Sequence, residues 1–166
     1  TALKSFGIKE ISTFVGGANV TGVVAVIEGS RPGKTIGLRA DSDALPLEEK
    51  TGVEWSSKVP MAMHACGHDG HVGTLLAAVH YINQHRDFAG RLVAILQPGE
   101  EGFAGGRYMI EDGLVQKFGI DEFYALHAEP MLPVGCVGLF QVLQRPMQTF
   151  SKLHLRASAV TDPVLI

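Results

Sequence analysis

The chain has 166 residues, 46% of them hydrophobic and 19% charged, which suffices for one ordinary globular domain and excludes a multi-domain assembly. Its 14 Lys and Arg against 17 Asp and Glu leave a formal charge of −3, so no positive surplus exists to neutralise a phosphate backbone or an anionic lipid surface. Nucleic-acid and membrane partners are set aside on that ground, and no apolar run approaches the roughly 20 residues of a bilayer span.

Taken in chain order, residues 1–10 show no secretory signal, which makes the cytoplasm the expected address. In a reducing compartment the two cysteines, Cys66 and Cys136, read as a ligand or a buried thiol before they read as a disulfide. Gly16–Gly22 lacks the Lys-Ser/Thr of a phosphate loop and reads as a flexible turn; the sequon Asn19-Val20-Thr21 within it reads as unused. Val23–Glu28 and Ile36–Ala40 are β-rich runs separated by the turn-like Gly29–Lys34, a pattern that predicts a hairpin or two neighbouring strands. The second run leads straight into Asp41-Ser42-Asp43. Val72, Leu75, Leu76, Val79 and Ile82 recur at helical spacing and predict a helix from Asp69 to about Arg86.

Arg91–Gln97 is nearly continuous in apolar residues and predicts a strand buried on both faces, stopped by Pro98-Gly99. Phe103–Asp112 predicts a second helix, with Gly102–Gly106 letting it approach the sheet closely, and Glu122–His127 predicts a further strand ending before Pro130. Alternating strands and helices imply an α/β fold, a layered and mostly parallel sheet with flanking helices. Ligands gather beyond the carboxyl ends of such strands, and the Asp41–Asp43 segment, the loop before Asp69, Glu100-Glu101 and His127 all fall there.

His64-Ala65-Cys66-Gly67-His68-Asp69-Gly70-His71 crowds a thiol, imidazoles and a carboxylate between glycines that permit tight turning. Cys66 and His68 offer a thiolate and an imidazole, both suited to Zn²⁺ or a similar ion. Alone they would equally be a buried thiol beside loop histidines. Glu100 and Glu101 are adjacent at a strand end, and neighbouring residues in extended chain point opposite ways, so one can ligate a metal while the other faces a substrate. Alone they would be two solvated glutamates before a helix N-terminus. His127 alone would be a hydrogen-bonded core histidine. Together the segments favour a metal site.

The stretches Leu38–Pro46, Met63–Asp69, Gln97–Gly102 and Ala125–His127 together resemble the aminoacylase, hippurate hydrolase and auxin-conjugate hydrolase family of metal-dependent amidohydrolases and carboxypeptidases, over about Gly22 to Leu139. That resemblance implies a metallopeptidase-like fold and identifies Cys66, His68, Glu101 and His127 as metal ligands. It makes Glu100 the general acid/base and Asp43 and His71 accessory site residues. It further implies a divalent cofactor, Zn²⁺ or Mn²⁺ and up to two ions, and a small N-acyl amino acid substrate whose amide is hydrolysed. Family members are often homo-oligomeric.

Residues 1–139 are then expected to be a partial catalytic domain and 140–166 a divergent tail, where the family's lid and dimer domain would begin. The family's opening helix, its Gly-Gly-His motif and a later metal-ligating histidine are not recognised in this chain. Pro163 and its neighbours match the family again, which suggests a frameshift between about Phe140 and Val160. A chain so composed is expected to be a poor enzyme. Two other readings stay open: a catalytically inactive remnant that binds metal or a protein partner, and a cysteine hydrolase with Cys66 as nucleophile and His68 or His127 as base.

Overall fold

Strands with no polar face need cover on both sides, and the layout of the molecule follows from that need. A computed structural model describes residues 2–138. The elements are α1 (Ala2–Ser5), β1 (Glu10–Val15), β2 (Gly22–Glu28), β3 (Arg31–Asp41), α2 (His68–Gln84), β4 (Ala89–Gln97), α3 (Gly105–Glu111), α4 (Leu114–Phe118) and β5 (Glu122–Ala125). The five strands form one sheet in the order β1-β2-β4-β3-β5. Pairing is antiparallel between β1 and β2 and between β2 and β4, and parallel from β4 to β3 to β5, so only β2 runs against the rest. The expected α/β class with a mostly parallel sheet is what the chain adopts.

Residues alternate cleanly across the two central strands. Ala25, Ile27, Leu92 and Ala94 pack with Leu75 and Val79 of α2 and with Leu3 and Ile8 of the N-terminal segment. Val24, Val26, Val93 and Ile95 face the other way, onto Met109, Leu114 and Phe118 of α3 and α4. Close approach of α3 to the sheet depends on its paired glycines: a Cβ on Gly106 would lie 2.9 Å from the Gln97 side-chain oxygen at the end of β4. Among the described residues, no helix is long and apolar enough to cross a membrane.

Several expectations change. The runs on either side of Gly29–Lys34 are not neighbours, because β4 lies between them and pairs with both, Val26 with Val93 and Leu38 with Ala94. Gly29 and Ser30 carry the chain past the start of β4, donating to the carbonyls of Gly90 and Phe88. The hairpin is instead β1 with β2, joined across the 16–21 turn. Both α1 and β1 went unanticipated, as did α4 after Gly113. The helix expected from Phe103 starts at Gly105, and the strand expected to reach His127 ends at Ala125. Expectations about residues 140–166 lie outside the described residues.

Candidate metal centre

At the carboxyl end of β3 the backbone delivers Asp41, wholly buried, and then the half-buried Asp43. One Asp41 oxygen pairs with Nη1 of Arg39 at 2.8 Å, and the other lies 2.6 Å from Nδ1 of His71. Burial alone would raise the Asp41 carboxyl, but the His71 hydrogen bond and the Arg39 charge outweigh it and hold the group below its usual range. Arg39 also donates from Nε to the Gln97 side chain at 2.8 Å, tying the ends of β3 and β4 together.

Gly67, with φ of 79°, takes the left-handed turn that starts α2, a conformation that suits a residue without Cβ. His68 and His71 then stand three apart on one helix face, buried against the end of the sheet. The Asp43 carbonyl can only accept, so the His68 Nδ1 at 2.9 Å carries the proton and Nε2 is bare. That Nε2 is buried and has no hydrogen-bond partner, 3.7 Å from an Asp41 oxygen and 3.9 Å from a Glu101 oxygen. Asp43 also accepts the Glu101 backbone N–H on its carboxylate at 2.9 Å and the His64 ring on its carbonyl at 3.1 Å.

Cys66 and His127, 61 residues apart in the chain, meet with Sγ to Nε2 at 3.6 Å. Burial pushes the Cys66 thiol up to about 11, helped by the hydrogen bond to Glu101 and by the charges of Glu101, Glu100 and Asp41. His127 stands two residues beyond the end of β5, its ring 4.5 Å from that of His71 and 6.1 Å from that of His68. Ligating atoms of Cys66, His68 and Glu101 all lie within 4.8 Å of one another, as do those of Asp41, His68, His71 and His127. Glu100 belongs to neither group, is half-buried, and acts on Cys66 through its charge.

All seven residues singled out in the sequence thus come to one end of the sheet. Asp41 reads in the sequence only as part of the Asp41–Asp43 segment at a strand end, with no role of its own. A divalent ion fits this donor set: a buried imidazole nitrogen with no hydrogen-bond partner, carboxylate oxygens around it and a thiol that burial first and the nearby charges second keep protonated are what such an ion would satisfy.

A model of peptidase family M20/M25/M40 matches residues 37–159, running past Phe140 where the recognised motifs cease. The chain is 47% identical over 121 residues to an N-acetyldiaminopimelate deacetylase of Lactobacillus helveticus, covering 71% of this chain and 31% of that protein. It is 47% identical over 128 residues to a hippurate hydrolase of Campylobacter jejuni, covering 77% and 32%. Among solved structures, a dinuclear metal binding peptidase of the M20 family from Bacillus subtilis superposes with a TM-score of 0.76 at 37% identity, covering 84% of this chain and 38% of that one. The chain spans about a third of the length of the curated relatives it matches.

Proposed function

The chain belongs to peptidase family M20/M25/M40, and from that premise we propose that it carries the metal-binding part of an amidohydrolase acting on small N-acyl amino acids. Cys66, His68, Glu101 and His127 hold the metal, Zn²⁺ or Mn²⁺, as one ion or two. A divalent ion bound by these residues would supply Lewis-acid polarisation of the scissile amide carbonyl and would lower the pKa of a water beside it. Glu100 takes the proton of that water on a carboxylate oxygen and later gives one to the nitrogen of the departing amine. Asp43 keeps His68 in the tautomer that presents a bare nitrogen, and through the Glu101 amide it fixes the start of the loop bearing both glutamates. Residues 1–139 form the catalytic portion in this reading.

The observation that carries the proposal is the buried, unpartnered Nε2 of His68 between the Asp41 and Glu101 carboxylates. The relatives' names, a deacetylase and a hippurate hydrolase, support the amide-cleaving class. Removing the ion with a chelator should abolish release of amine from N-acetyl- and N-benzoyl-amino acids, and added Zn²⁺ or Mn²⁺ should restore it. Alkylating Cys66 would silence either a metal or a cysteine hydrolase. Turnover that survives chelation would establish the cysteine mechanism instead, and metal binding without turnover would leave a remnant.

A further inference from the structure

His71 stands in the acid- and histidine-lined group at the site, three residues after His68 on the same helix face, where spacing alone would make it a second imidazole ligand. Its hydrogen bonds say otherwise. The Ala128 backbone amide lies 2.7 Å from His71 Nε2 and can only donate, so that nitrogen carries no proton. The neutral ring then has its proton on Nδ1, which it gives to the Asp41 oxygen at 2.6 Å. Both ring nitrogens are spent, and no lone pair is left for an ion.

The same bonds tie together parts of the chain that the sheet does not hold. Pairing of β5 with β3 stops at Ala125 opposite Arg39, so the turn bearing His127 has already left the ladder. Ala128 is secured to α2 through His71, and His71 to β3 through Asp41. With Ala128 fixed, the His127 Nδ1 donates to the Ala128 carbonyl at 2.7 Å and Nε2 is aimed at Cys66 Sγ, 3.6 Å away.

We propose that His71 is a positioning residue and not a ligand: it pins the turn after β5 to Asp41 and so aims the His127 nitrogen into the site. This rests on the reading of Cys66, His68, Glu101 and His127 as the metal-holding set. Groups of this kind typically alter metal affinity about 10–100-fold when lost.

The test titrates Zn²⁺ into the metal-free full chain by calorimetry. His71→Gln places an amide oxygen where Nε2 sits and can still accept the Ala128 N–H, whereas His71→Asn reaches Asp41 only and His71→Leu reaches neither. Binding should weaken about 10–100-fold in the Asn and Leu variants and less in the Gln variant, which keeps the Ala128 contact but gives up the one to Asp41, with the number of ions bound unchanged throughout. Nitrogen NMR of the metal-free wild type should find the His71 proton on Nδ1 and none on Nε2, a readout independent of how any variant folds. Loss of one bound ion in the Gln variant, wild-type affinity in the Leu variant, or a proton on Nε2 would each overturn the assignment. Cys66→Ser separates the two readings. If it leaves zinc affinity untouched, the ligand set itself is wrong and the positioning role falls with it. If it weakens binding while His71→Leu does not, only the positioning role falls.

Discussion

On the proposed amidohydrolase reading, Glu100→Gln should lower whatever rate of amide hydrolysis the wild-type chain shows by about 10²–10⁴-fold, while metal affinity stays close to wild type. The substitution keeps volume and hydrogen-bonding capacity and removes only the ability to take a proton. Glu100 lies outside both groups of clustered ligating atoms, so its loss should not release an ion. Glu101→Gln should do the reverse: its oxygen faces the bare His68 nitrogen at 3.9 Å, and replacing a charged donor there should weaken binding. Measuring kcat alongside zinc affinity for both variants separates the roles, and equal loss of metal in the two would show that the glutamates share one role.

Asp41→Ala should destabilise the metal-free protein by about 3–5 kcal/mol, because removing one member of a buried ion pair strands its partner in a low dielectric. The lower end is expected, since Arg39 keeps the Gln97 oxygen and its side chain is 14% exposed. His71 would lose the acceptor for its Nδ1 proton as well. Asp41→Asn adds a test of sign. The His71 and Arg39 contacts hold the Asp41 carboxyl below its ordinary value, despite a burial that pushes it the other way. A carboxyl with a lower pKa folded than unfolded contributes stability that is complete above the unfolded value of about 3.9 and is lost as pH falls through the folded value. Denaturant midpoints should therefore show a constant gap between wild type and Asp41→Asn near neutral pH, and that gap should close below about pH 4.

Much of this arrangement is legible in sequence because its signals are local. His64 to His71 sit within a single turn-and-helix start, Glu100 and Glu101 follow a strand stopped by Pro98-Gly99, and Val72 to Ile82 keep helical spacing throughout. What escaped depends on partners distant in the chain. Val23–Glu28 and Arg91–Gln97 are equally apolar, so nothing in either says that β4 lies between β2 and β3. Leu126 and His127 could extend a strand by their residue types, but the β5 ladder stops at Ala125 opposite Arg39, although β3 itself runs on to Asp41. His71 repeats the spacing of a ligand, and its different role appears only once the Ala128 amide, 57 residues on, is seen against its ring. Asp41 was legible as part of an acidic strand end, but its bond to His71, 30 residues on, was not.

The place of β4 between two strands joined by only Gly29 and Ser30 has a consequence for how the chain acquires its shape. The β1–β2 hairpin can close early from local contacts, but β3 has no partner on either side until much later residues arrive; Arg39 and Gln97, hydrogen-bonded at the ends of their strands, are 58 apart. During synthesis the apolar edges of β2 and β3 therefore wait side by side, able to pair wrongly with each other or with another molecule, until β4 slots between them. Pairings of such separation favour folding in milliseconds to seconds over the microseconds of helical bundles. Ribosome-bound chains arrested between β3 and β4 would be the species most in need of a chaperone.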